Sequence, residues 1–248
     1  MQIRLATALM VLTAFLAPAS SAQAGPKADW SRIASDILHQ RLPGDRGNLS
    51  IGDVTSGLKE ALGIASDAAA TRLGAKDGYY GDAAVRIPLP GVLGDAQRRM
   101  QPFGMAGPLD DLQLRVNRAA EAAAPAASKL LVEAVEAMTF DDAMGVLRGG
   151  DTAATDFLRT RTETNLRKTF RPYIEEALNA SGALAGVEAA VTRYGANLVR
   201  TNARTWLVDN ATTGALDGLF YYVAREEQAI RLDPVKRTSE LLRKVFGG

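Results

Sequence analysis

Polar side chains that could do chemistry are concentrated in one alanine-rich segment. Asn117, Arg118 and Glu121 lie within little more than one helical turn, among residues that otherwise form a narrow apolar seam. At about 100° per residue, Asn117 and Glu121 share one flank of a helix, whereas Arg118 points away from the seam. A buried carboxylate or guanidinium needs a partner. The candidate partners are Arg86, Asp217, Glu226, Glu227, Arg231 and Arg237.

Three interpretations of this polar cluster are open. It forms an internal ion-pair network that fixes helix register, a ligand-binding cluster, or a carboxylate-based catalytic site. We favour the first, because buried polar residues usually pair within the fold. No residue is predicted to be catalytic or to bind a metal, and no cofactor is predicted. The candidate ligand-binding residues are Arg86, Asn117, Arg118, Glu121, Asp217 and Arg231.

A single histidine, His39, and the absence of cysteine exclude several other kinds of site. Thiol catalysis, thiolate zinc sites and iron–sulfur clusters need cysteine. A Ser-His-Asp triad would have to use His39, which we interpret as a solvent-exposed residue at a helix end. The run from Lys76 to Asp82 lacks the spaced acidic ligands of a calcium loop. Gly149-Gly150-Asp151 lacks the Lys-Ser/Thr pair of a phosphate loop.

The N-terminus has the three-part pattern of a secretory signal peptide. Arg4 precedes an apolar run over residues 5–17, and Ala22-Gln23-Ala24 supplies a small-residue cleavage site. The run is shorter than the roughly 20 apolar residues that span a bilayer. We therefore expect cleavage after Ala24 and an exported, periplasmic protein with no transmembrane anchor after cleavage.

Composition limits the class of partner. Removal of residues 1–24 takes away only Arg4 and leaves 28 basic and 28 acidic residues. A neutral chain has no general basic field of the kind that drives nucleic-acid binding, so no nucleic-acid partner is predicted. Without disulfides the fold must be held by its core, and a chain of this length can bury a sizeable one.

Helical periodicity dominates the rest of the chain, and no alternating strand pattern is present. Residues 1–24 are the signal peptide, 25–48 a flexible segment with one helix, and 49–248 an all-helical domain. We predict an all-α fold, a single multi-helix bundle of about eight to ten helices with short connections and one ordered Pro/Gly loop over 76–90. Helices are predicted over 30–42, 51–73, 91–103, 152–180, 184–194, 204–227 and from Asp233 onward.

The central segment, residues 107–157, is predicted to hold three helices and the start of a fourth. Pro108 is well placed to begin the first of them. Pro125 is predicted to end that helix and to begin the next one over 126–138, because proline breaks the backbone hydrogen-bond ladder. Only a few residues connect these predicted helices, and such short connections make neighbouring helices fold back on each other.

Capping signals define the remaining boundaries. Ser50 with Asp53 and Thr139 with Asp142 are predicted capping boxes. Asp151 is predicted to cap the helix that follows it. Gly214 and Gly218 lie four residues apart, with Asp217 between them. This spacing predicts that another helix approaches closely at the two glycines.

Many short motifs occur in order between residues 49 and 247. On these motifs the chain resembles the bacterial domain-of-unknown-function family 4197. The resemblance implies an exported, mostly helical bacterial protein with no established activity, so it supplies no catalytic residues. The motifs include Gly57-Leu58-Lys59-Glu60-Ala61-Leu62, Arg86-Ile87-Pro88-Leu89-Pro90, Asn117-Arg118-Ala119-Ala120-Glu121, Met138-Thr139-Phe140, Gly149-Gly150-Asp151, Ala215-Leu216-Asp217-Gly218-Leu219-Phe220 and Leu241-Leu242-Arg243-Lys244-Val245-Phe246-Gly247.

Two functions are compatible with these features. The favoured hypothesis is a non-enzymatic binding or interaction module of the bacterial cell envelope, whose partner is a protein or a small, apolar ligand held between helices. The alternative is a carboxylate-based hydrolase acting on an envelope substrate, with Glu121 and Asp217 as the catalytic pair. That alternative requires the two carboxyl groups to lie close together in an open cleft.

Overall fold

A computed structural model of the chain describes residues 51–180 and 203–232. Several predictions lie outside these ranges: the signal peptide, the helix over 30–42 with His39, the cap at Ser50, the helix over 184–194 and the one that begins at Asp233. The candidate partner Arg237 also lies outside them.

Six α-helices and one 3-10 turn make up the described ranges, in which no β-strand occurs. This confirms the all-α prediction, whereas these ranges do not establish the predicted count of eight to ten helices. No helix within them combines the length and the apolar character needed to cross a membrane. The helices are α1 (Ile51–Gly74), α2 (Gly91–Met100), α3 (Gly107–Glu136), α4 (Phe140–Arg148), α5 (Ala153–Ala180) and α6 (Ala203–Leu232), and the 3-10 turn is Gln101–Phe103.

The four long helices form a bundle in the cyclic order α1, α3, α5, α6, so each packs against two neighbours. The short helix α4 packs against α5 and α1, and α2 lies beside α3. Apolar residues at three- and four-residue spacing build the core, as helix geometry requires. On α5 the buried line is Leu158, Leu166, Phe170, Ile174 and Leu178, all without exposed surface.

The prediction of a helix boundary at Pro125 is wrong. Helix α3 runs unbroken from Gly107 to Glu136 with Pro125 inside it. The buried line of α3 continues across the proline, because Ala120, Ala124, Ala127 and Leu131 have no exposed surface. Packing against α1 and α5 therefore outweighs the roughly 3 kcal/mol that an interior proline costs. The central segment holds two helices and the start of a third.

The capping box of α4 is confirmed. The Thr139 side chain accepts a hydrogen bond from the Asp142 amide at 3.2 Å, and the Asp142 carboxylate accepts one from the Thr139 amide at 3.0 Å. The hydrogen bond from the Thr139 backbone is the main reason why the pKa of Asp142 lies below its usual range. This box fixes the start of α4 at Phe140.

The loop between α1 and α2 is ordered and packs along the bundle, as predicted. It contains turns but no strand, and four of its apolar side chains are buried. Tyr79 has no exposed surface, and its hydroxyl donates to the carbonyl of Ala215 on α6 at 2.7 Å. The other buried apolar residues of the loop are Val85, Ile87 and Leu89.

Gly214 and Gly218 allow a close approach, but the approaching element is this loop and not a helix. A Cβ atom on Gly214 would lie 3.1 Å from Ile87, and one on Gly218 would lie 2.7 Å from the Tyr79 ring. The two glycines therefore create the space into which the loop side chains pack. The predicted close packing is confirmed, and its partner is corrected.

Replacement of Gly218 by alanine is expected to destabilise the fold by about 1–3 kcal/mol, despite the better helix propensity of alanine. The Tyr79 ring is fully buried and its hydroxyl is bonded, so it cannot move aside cheaply. The matched control is Gly63→Ala on α1, where a Cβ meets nothing within 4 Å. That control is expected to stabilise by up to about 1 kcal/mol. Urea unfolding of both variants measures the difference, and equal effects would refute the steric explanation.

Candidate functional site

The Glu121 carboxylate holds the backbone of the loop between α1 and α2. One carboxylate oxygen accepts from the amides of Tyr79 and Tyr80 at 3.2 and 3.1 Å. The other accepts from the amide of Asp77 at 3.3 Å and from an Arg118 guanidinium nitrogen at 2.6 Å. Only 6% of the Glu121 side chain is exposed. Its lone pairs are therefore directed at the fold itself.

Asn117, one helical turn before Glu121 on α3, holds the same loop. Its side-chain oxygen accepts from the Ile87 amide at 2.8 Å, and its side-chain nitrogen donates to the Ile87 carbonyl at 2.9 Å. That nitrogen also donates to the Gln113 carbonyl at 2.8 Å. Asn117 has no exposed surface. It thus gives the Ile87 amide an acceptor and the Ile87 carbonyl a donor, in a loop without strand pairing; the Gln113 side chain donates to the same carbonyl at 3.2 Å.

Arg118 lies at the boundary between this buried cluster and solvent. It pairs with Glu121 and, through its other terminal nitrogen, with Asp77 at 2.6 Å. The hydrogen bond to Glu121 contributes most to the raised pKa of Arg118, and the one to Asp77 acts in the same direction. Because a third of the side chain is exposed, water weakens both pairs. The predicted internal ion-pair network is present, but it fixes a loop to a helix and not the register between helices.

Two arginines contact the ring of Tyr80, which is partly exposed. The Arg86 guanidinium lies 5.2 Å from the ring centroid and that of Arg118 lies 5.9 Å from it. Arg86 also donates from Nε to the Tyr80 carbonyl at 2.5 Å. Neither Lys76 nor Arg86 forms an ion pair with a carboxylate in the part of the chain that the structure describes. Both cationic groups are exposed to solvent.

An open depression of about 450 Å³ lies against this loop. Arg72 pairs with Asp82 at 3.3 Å on its wall, and Asp77 contributes the carboxylate that binds Arg118. The hydroxyl of Tyr222 donates to Asp82, which is the main reason why the pKa of Asp82 lies below its ordinary value. The rim of the depression therefore carries charges of both signs, and Glu121 holds its backbone at Asp77.

The structure does not bring Asp217 and Arg231 to this cluster. Asp217 is exposed on α6 and pairs with Arg159 of α5 at 3.0 Å. Arg231 lies near the C-terminal end of α6, where it is 5% exposed and bonds to Glu227 at 2.7 Å. Of the six candidate residues, only Arg86, Asn117, Arg118 and Glu121 share one neighbourhood.

Glu227 is a second buried carboxylate that holds backbone amides. Its two oxygens accept from the amides of Ala154 and Thr155, at 3.1 and 2.9 Å, and from the Thr155 hydroxyl at 2.7 Å. These amides belong to the first turn of α5, so Glu227 of α6 and not Asp151 caps that helix. Sequence reasoning missed this role because the capping residue comes from a distant helix.

The paired-carboxylate hydrolase gains no support from this geometry. Glu121 is buried against Arg118, whereas Asp217 is exposed and bound to Arg159. A carboxylate that accepts three backbone amides and a guanidinium has no lone pair directed at a substrate or a water. The described residues also contain no group of three or more histidine or acidic side chains arranged to hold a metal ion.

Asp77, Tyr79 and Tyr80 take part in the site but were not predicted from the sequence. Their contribution is largely made by backbone amides, which leave no signature in residue type. The available signal was indirect, because a loop without strands must find acceptors for its buried amides. A glutamate on an alanine-rich helix next to such a loop is the acceptor to look for.

Comparison with known proteins places the chain in a family. There is no match among curated proteins or among solved structures. A family model described as "Protein of unknown function (DUF4197)" matches residues 48–247. That range includes both buried carboxylates and the whole loop between α1 and α2. On this match over most of its length, the chain belongs to the DUF4197 family of proteins of unknown function.

Proposed function

We propose that this chain is a non-enzymatic interaction module of the bacterial cell envelope, exported to the periplasm. It binds a protein partner through the outer surface of the loop between α1 and α2. We call this surface the loop face and define it by Lys76, Asp77, Tyr80, Asp82 and Arg86. Export is supported by Arg4, the apolar run and Ala22-Gln23-Ala24.

One observation carries the proposal: the buried Glu121 carboxylate fixes the loop backbone at Asp77, Tyr79 and Tyr80. A surface already held in its binding conformation loses little conformational entropy when a partner docks. Tyrosine and arginine dominate the energetics of many interfaces, and here the guanidinium groups of Arg86 and Arg118 both lie within 6 Å of the centre of the Tyr80 ring.

Charge indicates the chemistry of the partner. Lys76 and Arg86 are the cationic groups of the loop face that no described carboxylate neutralises. An acidic patch on the partner would complement them and would steer its approach. We therefore propose that an acidic surface of an envelope protein docks on the loop face.

A small ligand held between helices is less well supported. A cleft of about 270 Å³ lies between α3 and α5 beside Leu130 and Phe157, slightly below the roughly 300–1,000 Å³ of ordinary ligand pockets. The cavity at Glu227 and Arg231 measures about 10 Å³, which is room for about one water molecule. The large open depression lies instead on the loop face, where a protein surface has access.

Charge reversal of the loop face is expected to release the partner. In native mass spectrometry of the chain purified from its own host, Lys76→Glu/Arg86→Glu should retain at least about tenfold less partner than the unaltered chain. The matched control is Arg148→Glu/Lys168→Glu, which changes the net charge equally at exposed positions on α4 and α5. That control should retain the partner. Equal retention by both double variants, or a bound metabolite that the chain turns over, would contradict the proposal.

A further inference from the structure

Pro125 lies inside helix α3 and interrupts its backbone hydrogen bonding at one place. Proline has no amide hydrogen, so the carbonyl four residues earlier lacks its usual donor in the helical ladder. That carbonyl belongs to Glu121, whose side chain holds the loop between α1 and α2. The interruption of α3 therefore falls at the residue on which the loop face depends.

The ring of Pro125 also packs against the end of α1. A Cβ atom on Gly74, the last residue of α1, would lie 3.1 Å from Cγ and 3.2 Å from Cδ of Pro125. It would lie 3.7 Å from the carbonyl oxygen of Glu121. The first two distances are shorter than the about 3.5–4.0 Å at which carbon atoms pack. The end of α1 thus approaches α3 this closely because Gly74 has no side chain.

Packing, and not backbone conformation, explains the glycine at position 74. Within the described ranges only Gly91 and Gly104 have a positive φ, so Gly74 does not adopt the left-handed conformation that commonly ends a helix. Neither glycine nor proline favours a helix. The two residues contact each other directly before the loop begins, and local rules are commonly broken in this way at functional sites.

From this contact we propose that Pro125 is a positioning residue of the loop face and acts through Glu121 and Gly74. Its ring sets the distance between α3 and the end of α1. Only three residues separate Gly74 from the first loop amide that the Glu121 carboxylate holds, that of Asp77, so a shift at Gly74 reaches these hydrogen bonds directly. The inference rests on the proposed function for what the loop face binds, but not for how the loop is held.

Amide hydrogen exchange of the full chain tests the role of the proline. Pro125→Ala supplies a donor for the Glu121 carbonyl, which favours the helix, but it removes the ring from Gly74. The amides of Tyr79 and Tyr80 should therefore exchange at least about tenfold faster than in the unaltered chain, while the core amide of Leu166 exchanges no faster. In native mass spectrometry this variant should also retain at least about tenfold less partner.

Matched substitutions distinguish the contact from a general effect of proline or glycine. Pro172→Ala removes the interior proline of α5 and should leave the exchange of the Tyr79 and Tyr80 amides unchanged. Gly74→Ala should accelerate it, whereas Gly63→Ala, where a Cβ meets nothing within 4 Å, should not. Pro125→Ala makes room for the new Cβ, so Gly74→Ala/Pro125→Ala should exchange no faster than the faster single variant.

Unchanged exchange of the Tyr79 and Tyr80 amides in Pro125→Ala, or equal acceleration at Leu166, would overturn the inference. So would single effects at positions 74 and 125 that multiply in the double variant, because the two residues would then act independently. The outcome is separable from that of the proposed function. If the unaltered chain retains no partner, the proposed function fails, whereas the exchange rates still decide whether Pro125 positions the loop.

Discussion

Replacement of Glu121 by alanine is expected to lower the free energy of unfolding by about 3–5 kcal/mol. The substitution removes the carboxylate oxygen that accepts from the amides of Tyr79 and Tyr80, and it takes from Arg118 its buried partner. Buried donors without acceptors cost about 1–3 kcal/mol each, although such costs do not simply add. Chemical denaturation monitored by circular dichroism measures the change.

Two further variants separate the role of this carboxylate from a general effect of removing charge. Glu121→Gln keeps an acceptor oxygen for the loop amides but loses the charge that binds Arg118, so an intermediate loss of about 1–2 kcal/mol is expected. Glu133→Ala, on the same helix, removes a side chain that is 55% exposed and should change stability by less than about 0.5 kcal/mol. Similar losses of unfolding free energy for Glu121→Ala and Glu133→Ala would show that Glu121 does not hold the loop.

Replacement of Glu227 by alanine is expected to have a comparable effect, about 3–5 kcal/mol, for a related reason. It removes the cap from the first amides of α5 and the Glu227 carboxylate from its pair with the buried guanidinium of Arg231. Both side chains of this pair are at most 5% exposed, so water cannot substitute for the missing partner. Differential scanning calorimetry or urea unfolding measures the loss.

Two further variants separate the contribution of the Glu227 charge from that of its hydrogen bonds to the first turn of α5. Glu227→Gln keeps an oxygen for the amides of Ala154 and Thr155, so it should lose less stability than Glu227→Ala. Glu176→Ala removes an exposed glutamate of α5 and should be close to neutral. If Glu227→Ala were as mild as Glu176→Ala, the cap from α6 to α5 would contribute little.

Both buried carboxylates act in the same way, across different pairs of elements. Glu121 joins α3 to the loop, and Glu227 joins α6 to the first turn of α5. Each offers its oxygens to backbone amides and pairs with an arginine on its own helix, Arg118 or Arg231. The two buried carboxylates therefore fix the loop between α1 and α2 and the first turn of α5 to the bundle.

Local signals in the sequence were sufficient where a boundary depends on neighbouring residues. The capping box of Thr139 and Asp142 predicted α4 correctly, and the helix predicted over 91–103 is present as α2 followed by the 3-10 turn. The same reasoning failed at Pro125, because a local rule for helix breaking competes there with a long buried seam. It failed at Asp151 because the cap of α5 comes from Glu227, 73 residues after Ala154.

The candidate site was predicted in part. Residue types and spacing singled out Asn117, Arg118 and Glu121, and the prediction that their polar atoms pair within the fold is consistent with the structure. The partners were different from those expected, since a backbone amide carries no residue-specific signal. Asp217 was grouped with Glu121 on chemistry alone, and the fold places it against Arg159.

The central claim is that Glu121 and Asn117 hold the loop face in a fixed conformation, and amide hydrogen exchange tests it most directly. In the unaltered chain the amides of Tyr79, Tyr80 and Ile87 should exchange at least about a hundredfold more slowly than free peptide amides. In Glu121→Ala the protection of Tyr79 and Tyr80 should be lost, while the core amide of Leu166 stays protected and loses only the part that corresponds to the lower free energy of unfolding. Exchange of Tyr79 and Tyr80 at the rate of a free peptide in the unaltered chain, or unchanged protection in Glu121→Ala, would contradict the account.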